Sequence, residues 1–229
     1  MTAIDWVLTD IEGTTTPIAF VHSVLFPFAR ARLAGLLAAP TAEAATALAE
    51  VARLAPGVPP LTALLGWMDA DAKITALKTL QGIVWEAGYR SGELRGQLYP
   101  DVAPALRAWS AAGVRLAVYS SGSVAAQRLI FGHSTDGDLS GLFGGWFDTT
   151  TGPKRETASY GAIARQLGTA PERMLFLSDM AAELDAAAAA GLRTCQLLRA
   201  TDGTIAAPGH QSAADFPSVA RLVGLPEPA

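Results

Sequence analysis

Four short apolar runs, Trp6 to Thr9, Val114 to Tyr119, Met174 to Leu177 and Thr194 to Leu198, are separated by stretches with helical periodicity. Runs of this length read as parallel strands buried on both faces. Strand alternating with helix then predicts an α/β fold, a doubly wound (Rossmann-like) parallel sheet. The first three runs each stop on a polar cluster: Asp10-Ile11-Glu12, Ser120-Ser121-Gly122 and Ser178-Asp179. Ligands bind beyond the carboxyl ends of the strands in such sheets, so these clusters predict one site.

The helical patterns Val102 to Ala112, Val124 to Phe131, Ser159 to Leu167 and Ala181 to Ala190 supply the crossovers. The alanine-rich last one reads as an ordinary helix stopped by Gly191. About a hundred residues separate the first two strands, far more than a crossover needs. Within them, Val21 to Leu37, Thr41 to Leu54 and Ile74 to Ala87 carry apolar residues at helical spacing, and Ala55-Pro56-Gly57-Val58-Pro59-Pro60 breaks the pattern. The division expected is a core of residues 1–19 and 96–229 with an inserted α-helical cap domain over 20–95, Tyr99-Pro100 marking the return to the core. The tail from Leu225, with Pro226 and Pro228, reads as frayed.

Asp10 and Glu12 stand at i and i+2, where strand alternation would turn both towards one pocket. Gly13 permits close backbone approach, and the hydroxyls of Thr14 and Thr15 can reach a phosphate or orient a carboxylate. Ser120 with the amides of Ser121 and Gly122 can hold phosphoryl oxygens near a helix amino terminus. Lys154 follows the short apolar segment Trp146-Phe147-Asp148, and the gathered acids give it a reason to point inwards. Asp179 and the Glu183-Leu184-Asp185 pair add carboxylates that would repel Asp10 without a cation. Hard oxygen donors of this kind suit Mg²⁺. Zinc is disfavoured, because His22, His133 and His210 are scattered and no cysteine pair exists. His133 reads as a structural or capping residue.

The net charge of −4 and the absence of any Lys/Arg cluster argue against nucleic-acid or membrane partners. Met1 to Asp5 lacks the pattern of a secretory leader, and no apolar stretch reads as long enough to span a membrane. The sole cysteine, Cys195, reads as a small buried hydrophobe within a strand. A cytoplasmic, monomeric protein acting on a compact anion is the expectation.

Taken in order, these clusters resemble the haloacid dehalogenase superfamily of phosphotransferases, whose usual first motif is Asp-x-Asp-x-Thr. Glu12 departs from that motif in the way shared by the acireductone synthase group, the enolase-phosphatases of methionine salvage. The resemblance runs through Asp10 to Pro17, Met68-Asp69-Ala70-Asp71 to Trp85, and Gly88-Tyr89-Arg90-Ser91-Gly92-Glu93-Leu94. It continues through Tyr119 to Ser123, Phe131-Gly132-His133-Ser134, Phe147-Asp148-Thr149 and Leu175 to Asp179. It implies a phosphorylated diketone substrate, 2,3-diketo-5-methylthiopentyl-1-phosphate, which is enolised and then dephosphorylated to 1,2-dihydroxy-3-keto-5-methylthiopentene. It further implies Asp10 as nucleophile and metal ligand, Glu12 as a ligand through its carbonyl and as the acid of the phosphatase step, and Asp179 as the remaining protein ligand of Mg²⁺. Ser120 and Ser121 would contact substrate, and Lys154 would bind the phosphate. The enolisation base stays open, with Glu12 one candidate.

Overall fold

The computed structural model describes residues 3–228, so Met1, Thr2 and Ala229 of the two termini discussed above lie outside the described residues. The chain divides into two units, Met1–Ile18 with Gly96–Ala229, and Ala19–Arg95.

The first unit is built on a six-stranded parallel sheet of order β3-β2-β1-β4-β5-β6. Its strands are β1 (Trp6–Thr9), β2 (Arg115–Tyr119), β3 (Phe143–Phe147), β4 (Met174–Ser178), β5 (Arg193–Leu197) and β6 (Ser212–Ala213). β1 and β4 are buried along their whole length, which the unbroken apolar runs require of strands covered on both faces. Trp6, Leu8, Tyr119, Tyr160, Phe176 and Leu184 belong to one core cluster. In register, Thr9 lies beside Val118 on one side and Leu177 on the other. Three chain segments far apart in sequence therefore leave the sheet side by side at Asp10, Ser120 and Asp179.

β3 is longer than the three-residue segment expected, because Gly144 and Gly145 interrupt its apolar pattern without preventing parallel pairing to β2. β6 and the terminal helix were not anticipated. The tail is also less free than its prolines suggest: Trp109 donates from its indole nitrogen to the Pro226 carbonyl at 3.0 Å and stacks on Phe216 at 5.2 Å.

The helical unit begins within α1 (Ile18–Phe20), which runs through a wide π turn, Val21–Leu25, into α2 (Phe26–Ala38). The widened turn ends with the Phe26 amide donating to the Val21 carbonyl, one residue before Pro27. A proline lacks the amide of the regular ladder and crowds the carbonyl four residues back, so the adjacent turn opens. Then follow α3 (Ala42–Leu54), α4 (Pro60–Asp69) and α5 (Thr75–Ser91), around a core that includes Leu33, Val51, Leu64, Leu77 and Leu80. The expectation that no stretch approaches spanning length needs correction: Ile18–Ala38, 21 residues long, has the length and apolarity to cross a membrane, with a mean hydropathy of 1.2 over an 18-residue window. In the structure its Ala29 and Leu33 are buried, Arg30 pairs with Asp69, and Arg32 pairs with Glu93 and lies over the Phe28 ring.

The remaining helices flank the sheet's strands in sequence: α6 (Val102–Ala111), α7 (Val124–Gly132), α8 (Thr157–Leu167), α9 (Ala181–Ala189) and α10 (Phe216–Val223). α9 ends as the alanine run predicts, with Gly191 at φ +90° beyond it. Cys195 is fully buried, and burial pushes its thiol up to about 11.

Candidate active site

β1 stops at Thr9, so Asp10, Ile11 and Glu12 lie in a turn, and strand alternation is not what orients the two acids. The turn is closed by the Ile11 carbonyl, which accepts the amides of Thr14, Thr15 and Thr16 at 3.2, 2.9 and 2.8 Å. Gly13 takes φ +67°. A Cβ there would lie 2.5 Å from Asp179 Oδ2, so glycine lets the turn lie against that carboxylate. Asp10 is buried, and its Oδ1 accepts the Ile11 amide at 2.7 Å. Glu12 is half-buried and its backbone bridges to Thr16.

The threonines differ from their expected use. Thr14 Oγ1 accepts the Asp179 amide at 3.1 Å, tying the first acidic turn to the β4 end. Thr15 Oγ1 donates to the Asp10 and Ile11 carbonyls at 3.2 and 3.3 Å. Both side chains are wholly buried, which makes them framework for the turn rather than phosphate contacts.

Lys154 does point inwards. Its ammonium lies 2.7 Å from Asp10 Oδ1 and 2.6 Å from Glu183 Oε2, and it stands 5.8 Å over the Tyr119 ring. Burial alone would depress the lysine, but the charges of Asp10 and Glu183 outweigh it and the net shift is upward. Glu183 also accepts from Ser178 Oγ at 3.0 Å. Burial first, then the Asp10 charge, raises Glu183. The Glu183-Leu184-Asp185 acids therefore separate: Glu183 belongs to the lysine, whereas Asp185 is exposed and meets His210 at 3.0 Å.

Asp179 is pushed up to about 6, by burial and then by the charge of Asp10. Lys154 is already shared between Asp10 and Glu183, so the Asp10–Asp179 side of the site carries excess negative charge. Among the described residues no three His, Cys, Asp or Glu side chains form a ready cage. A hard divalent cation needs only one or two carboxylates with carbonyls and water, and Asp10, Asp179 and the Glu12 carbonyl are donors of that chemistry. The residues present fit such an ion.

Just beyond the neighbouring strand, β2, Ser120 is buried and Ser121 exposed. The Gly122 amide donates to Ser120 Oγ at 3.3 Å, so it is partly engaged within its own loop. The first amides of α7 are also occupied, Val124 by Asp148 Oδ2 at 3.1 Å and Ala126 by Ser123 Oγ at 3.3 Å. His133 follows α7, and its backbone carbonyl accepts the Gly96 amide at 2.9 Å.

Two supporting residues were not anticipated. Gln127 donates to the Gly122 and Phe147 carbonyls at 2.9 and 2.7 Å, bracing the serine loop against β3. Arg199 donates to the Thr14 carbonyl at 2.6 Å, pairs with Asp101 at 2.9 Å, and lies 4.0 Å over the Tyr99 ring. The available signal was a polar residue in an apolar setting: Gln127 inside an amphipathic helix, and Arg199 directly after a buried strand.

Residues 4–191 match the haloacid dehalogenase-like hydrolase family. The chain is 62% identical over 226 residues to an enolase-phosphatase E1 of Gluconacetobacter diazotrophicus, covering 98% of this chain and 96% of the relative. A crystal structure of the UTR4 protein of Saccharomyces cerevisiae superposes with TM-score 0.79 at 34% identity, over 93% of this chain and 98% of that one. The CbbY structure from Rhodobacter sphaeroides, in complex with phosphate, shares the fold with TM-score 0.63 at 23% identity, over 93% and 95% of the two chains. With a buried aspartate and lysine paired beyond the central strand and this likeness over nearly the whole length, the chain belongs to the haloacid dehalogenase-like hydrolases, in the group of the enolase-phosphatases.

Proposed function

We propose that this protein is the bifunctional enolase-phosphatase that converts 2,3-diketo-5-methylthiopentyl-1-phosphate to 1,2-dihydroxy-3-keto-5-methylthiopentene and phosphate in methionine salvage. The observation that carries the reading is the Asp10–Lys154–Glu183 arrangement, one buried cation holding the nucleophile candidate at 2.7 Å, in a chain 62% identical to an enolase-phosphatase.

Asp10 attacks phosphorus, the phosphorus–oxygen bond to the enol breaks, and an aspartyl-phosphate forms. Glu12 gives its proton to the departing enol oxygen, then takes one from the water that cleaves the aspartyl-phosphate. Lys154 offsets the repulsion between the Asp10 carboxylate and the incoming phosphoryl group, with Ser120, Ser121 and Gly122 holding its oxygens. Enolisation precedes these steps and moves a proton from the carbon bearing the phosphate to the neighbouring carbonyl oxygen. Asp10, Asp179 and the Glu12 carbonyl would hold Mg²⁺, which when bound supplies neutralisation of phosphoryl charge. The helical unit, residues 20–95, would serve as the cap domain. The reading makes the enzyme a cytoplasmic monomer with a small phosphorylated diketone as its partner, rather than nucleic acid or membrane, and the net charge of −4 favours that.

Purified protein with Mg²⁺ should convert the diketone phosphate with one phosphate released per acireductone formed, followed by ultraviolet absorbance and a phosphate assay together. Asp10→Asn should abolish phosphate release. Phosphate release without an enol absorbance, or full turnover in the Asp10 variant, would contradict the reading.

A further inference from the structure

Lys154 lies in the loop between β3 and α8, with no strand beside it to order its backbone. Three hydroxyls perform that task. Tyr119, at the end of β2, donates to the Gly152 carbonyl at 2.8 Å. Ser159 donates to the Pro153 carbonyl at 2.8 Å, and Tyr160 donates to the Lys154 carbonyl at 2.7 Å. Three consecutive carbonyls are thus each taken by a different side chain. All three side chains are buried.

The clamp is itself rigid. The Tyr119 and Tyr160 rings meet edge to face at 5.5 Å, and Tyr160 meets Phe176 of β4 at 5.1 Å. Gly152 has φ +149°, and a Cβ there would lie 2.3 Å from Ser159 Oγ, so only glycine lets the loop come this close. Fixing three successive peptide planes fixes the direction in which the lysine side chain leaves the backbone. A lysine stem has four rotatable bonds, so an undirected ammonium would sample many positions, and a displacement of about 1 Å in a catalytic group can cost ~10²-fold in rate.

We propose that Tyr119, Ser159 and Tyr160 are positioning residues for Lys154, their hydroxyls clamping the 152–154 backbone so that the ammonium meets Asp10 and the phosphoryl group at one place. The inference rests on the phosphate-binding role proposed for Lys154. An alternative use of the hydroxyls is only to satisfy buried carbonyls, which would affect stability without affecting the lysine in particular. A double-mutant cycle separates the two.

Tyr160→Phe and Ser159→Ala are each made in the native chain and in Lys154→Met. The readouts are thermal midpoint, kcat and KM on the diketone phosphate, and calorimetric affinity for inorganic phosphate with Mg²⁺ present. With the lysine in place, each hydroxyl deletion should weaken phosphate binding and lower kcat/KM by about tenfold. In Lys154→Met the same deletions should change phosphate affinity less than about twofold, although the midpoint falls equally in both backgrounds. Equal losses of phosphate affinity in both backgrounds would overturn the positioning role. If Lys154→Met itself keeps native turnover and phosphate affinity, the role of Lys154 falls instead. Should Tyr160→Phe fail to fold, Ser159→Ala alone decides, since it removes one hydroxyl and no ring.

Discussion

Asp179 is the residue whose charge responds most directly to the site's composition. Burial and the Asp10 carboxylate push it up to about 6 in the metal-free protein. Its ionised form is therefore disfavoured on folding, and metal-free stability falls as pH rises from its ordinary value of 3.8 towards 6. A divalent cation reverses this preference, because it binds the ionised carboxylate and competes with the proton. Affinity for Mg²⁺ should drop by about tenfold per pH unit as pH falls below that value, and flatten above it. Calorimetry across this range checks it, a pH-independent affinity being the contrary result. In the same experiment Asp179→Ala should weaken binding more than Glu183→Ala, since Glu183 Oε2 is 2.6 Å from Lys154 and already has its cation. The pairing of Glu183 with Lys154 was not legible in the sequence, where Glu183 is one more acid a helical turn beyond the strand. The inward turn of Lys154 was legible, because a cluster of acids at strand ends demands a cation. The hydroxyls behind it were not: they come from β2 and α8, and only the folded chain brings them to one loop.

At the scale of elements, β1, β2, β4 and β5 were readable because each is an apolar run of strand length, and Thr9 lies beside Val118 and Leu177 as a central strand requires. α4 was hidden by the proline-rich stretch that reads as a breaker, and α10 was not anticipated. Pro60 and Pro217 instead stand in the first turn, where no amide partner is needed. Tyr99-Pro100 reads as a marker of the return to the sheet-bearing unit, and ordered pairing is already present at Gly96, where that unit resumes. Gly96 donates to the His133 carbonyl at 2.9 Å and accepts from Thr135 at 2.9 Å. A Cβ on Gly96 would lie 2.0 Å from the Ile130 carbonyl oxygen, and a backbone atom at the end of α7 cannot swing aside. Gly96→Ala should therefore destabilise the protein by about 2–4 kcal/mol. Urea denaturation reads this as a lower midpoint at unchanged slope, and an unshifted midpoint would show that the loop relaxes freely.

For the molecule as a whole, the sheet order puts β1 between strands that follow it by more than a hundred residues. The Thr14 carbonyl waits for Arg199, and Asp10 waits for Lys154 and Glu183. The helical unit is the opposite case, one unbroken segment, Ala19–Arg95, with its own core. A ribosome delivering this chain from its amino end thus releases β1 first and supplies neither pairing edge until much later. In chains arrested after Gly113, which lack both β2 and β4, limited proteolysis should find the helical segment protected and β1 still open to cleavage. Protection of both would mean that β1 finds a substitute partner. Until β4 emerges, the nascent chain carries an apolar strand with at least one bare edge, so the central place of the strand that leads to Asp10 makes biosynthesis, rather than the finished fold, the stage at which this protein most needs shielding from other chains.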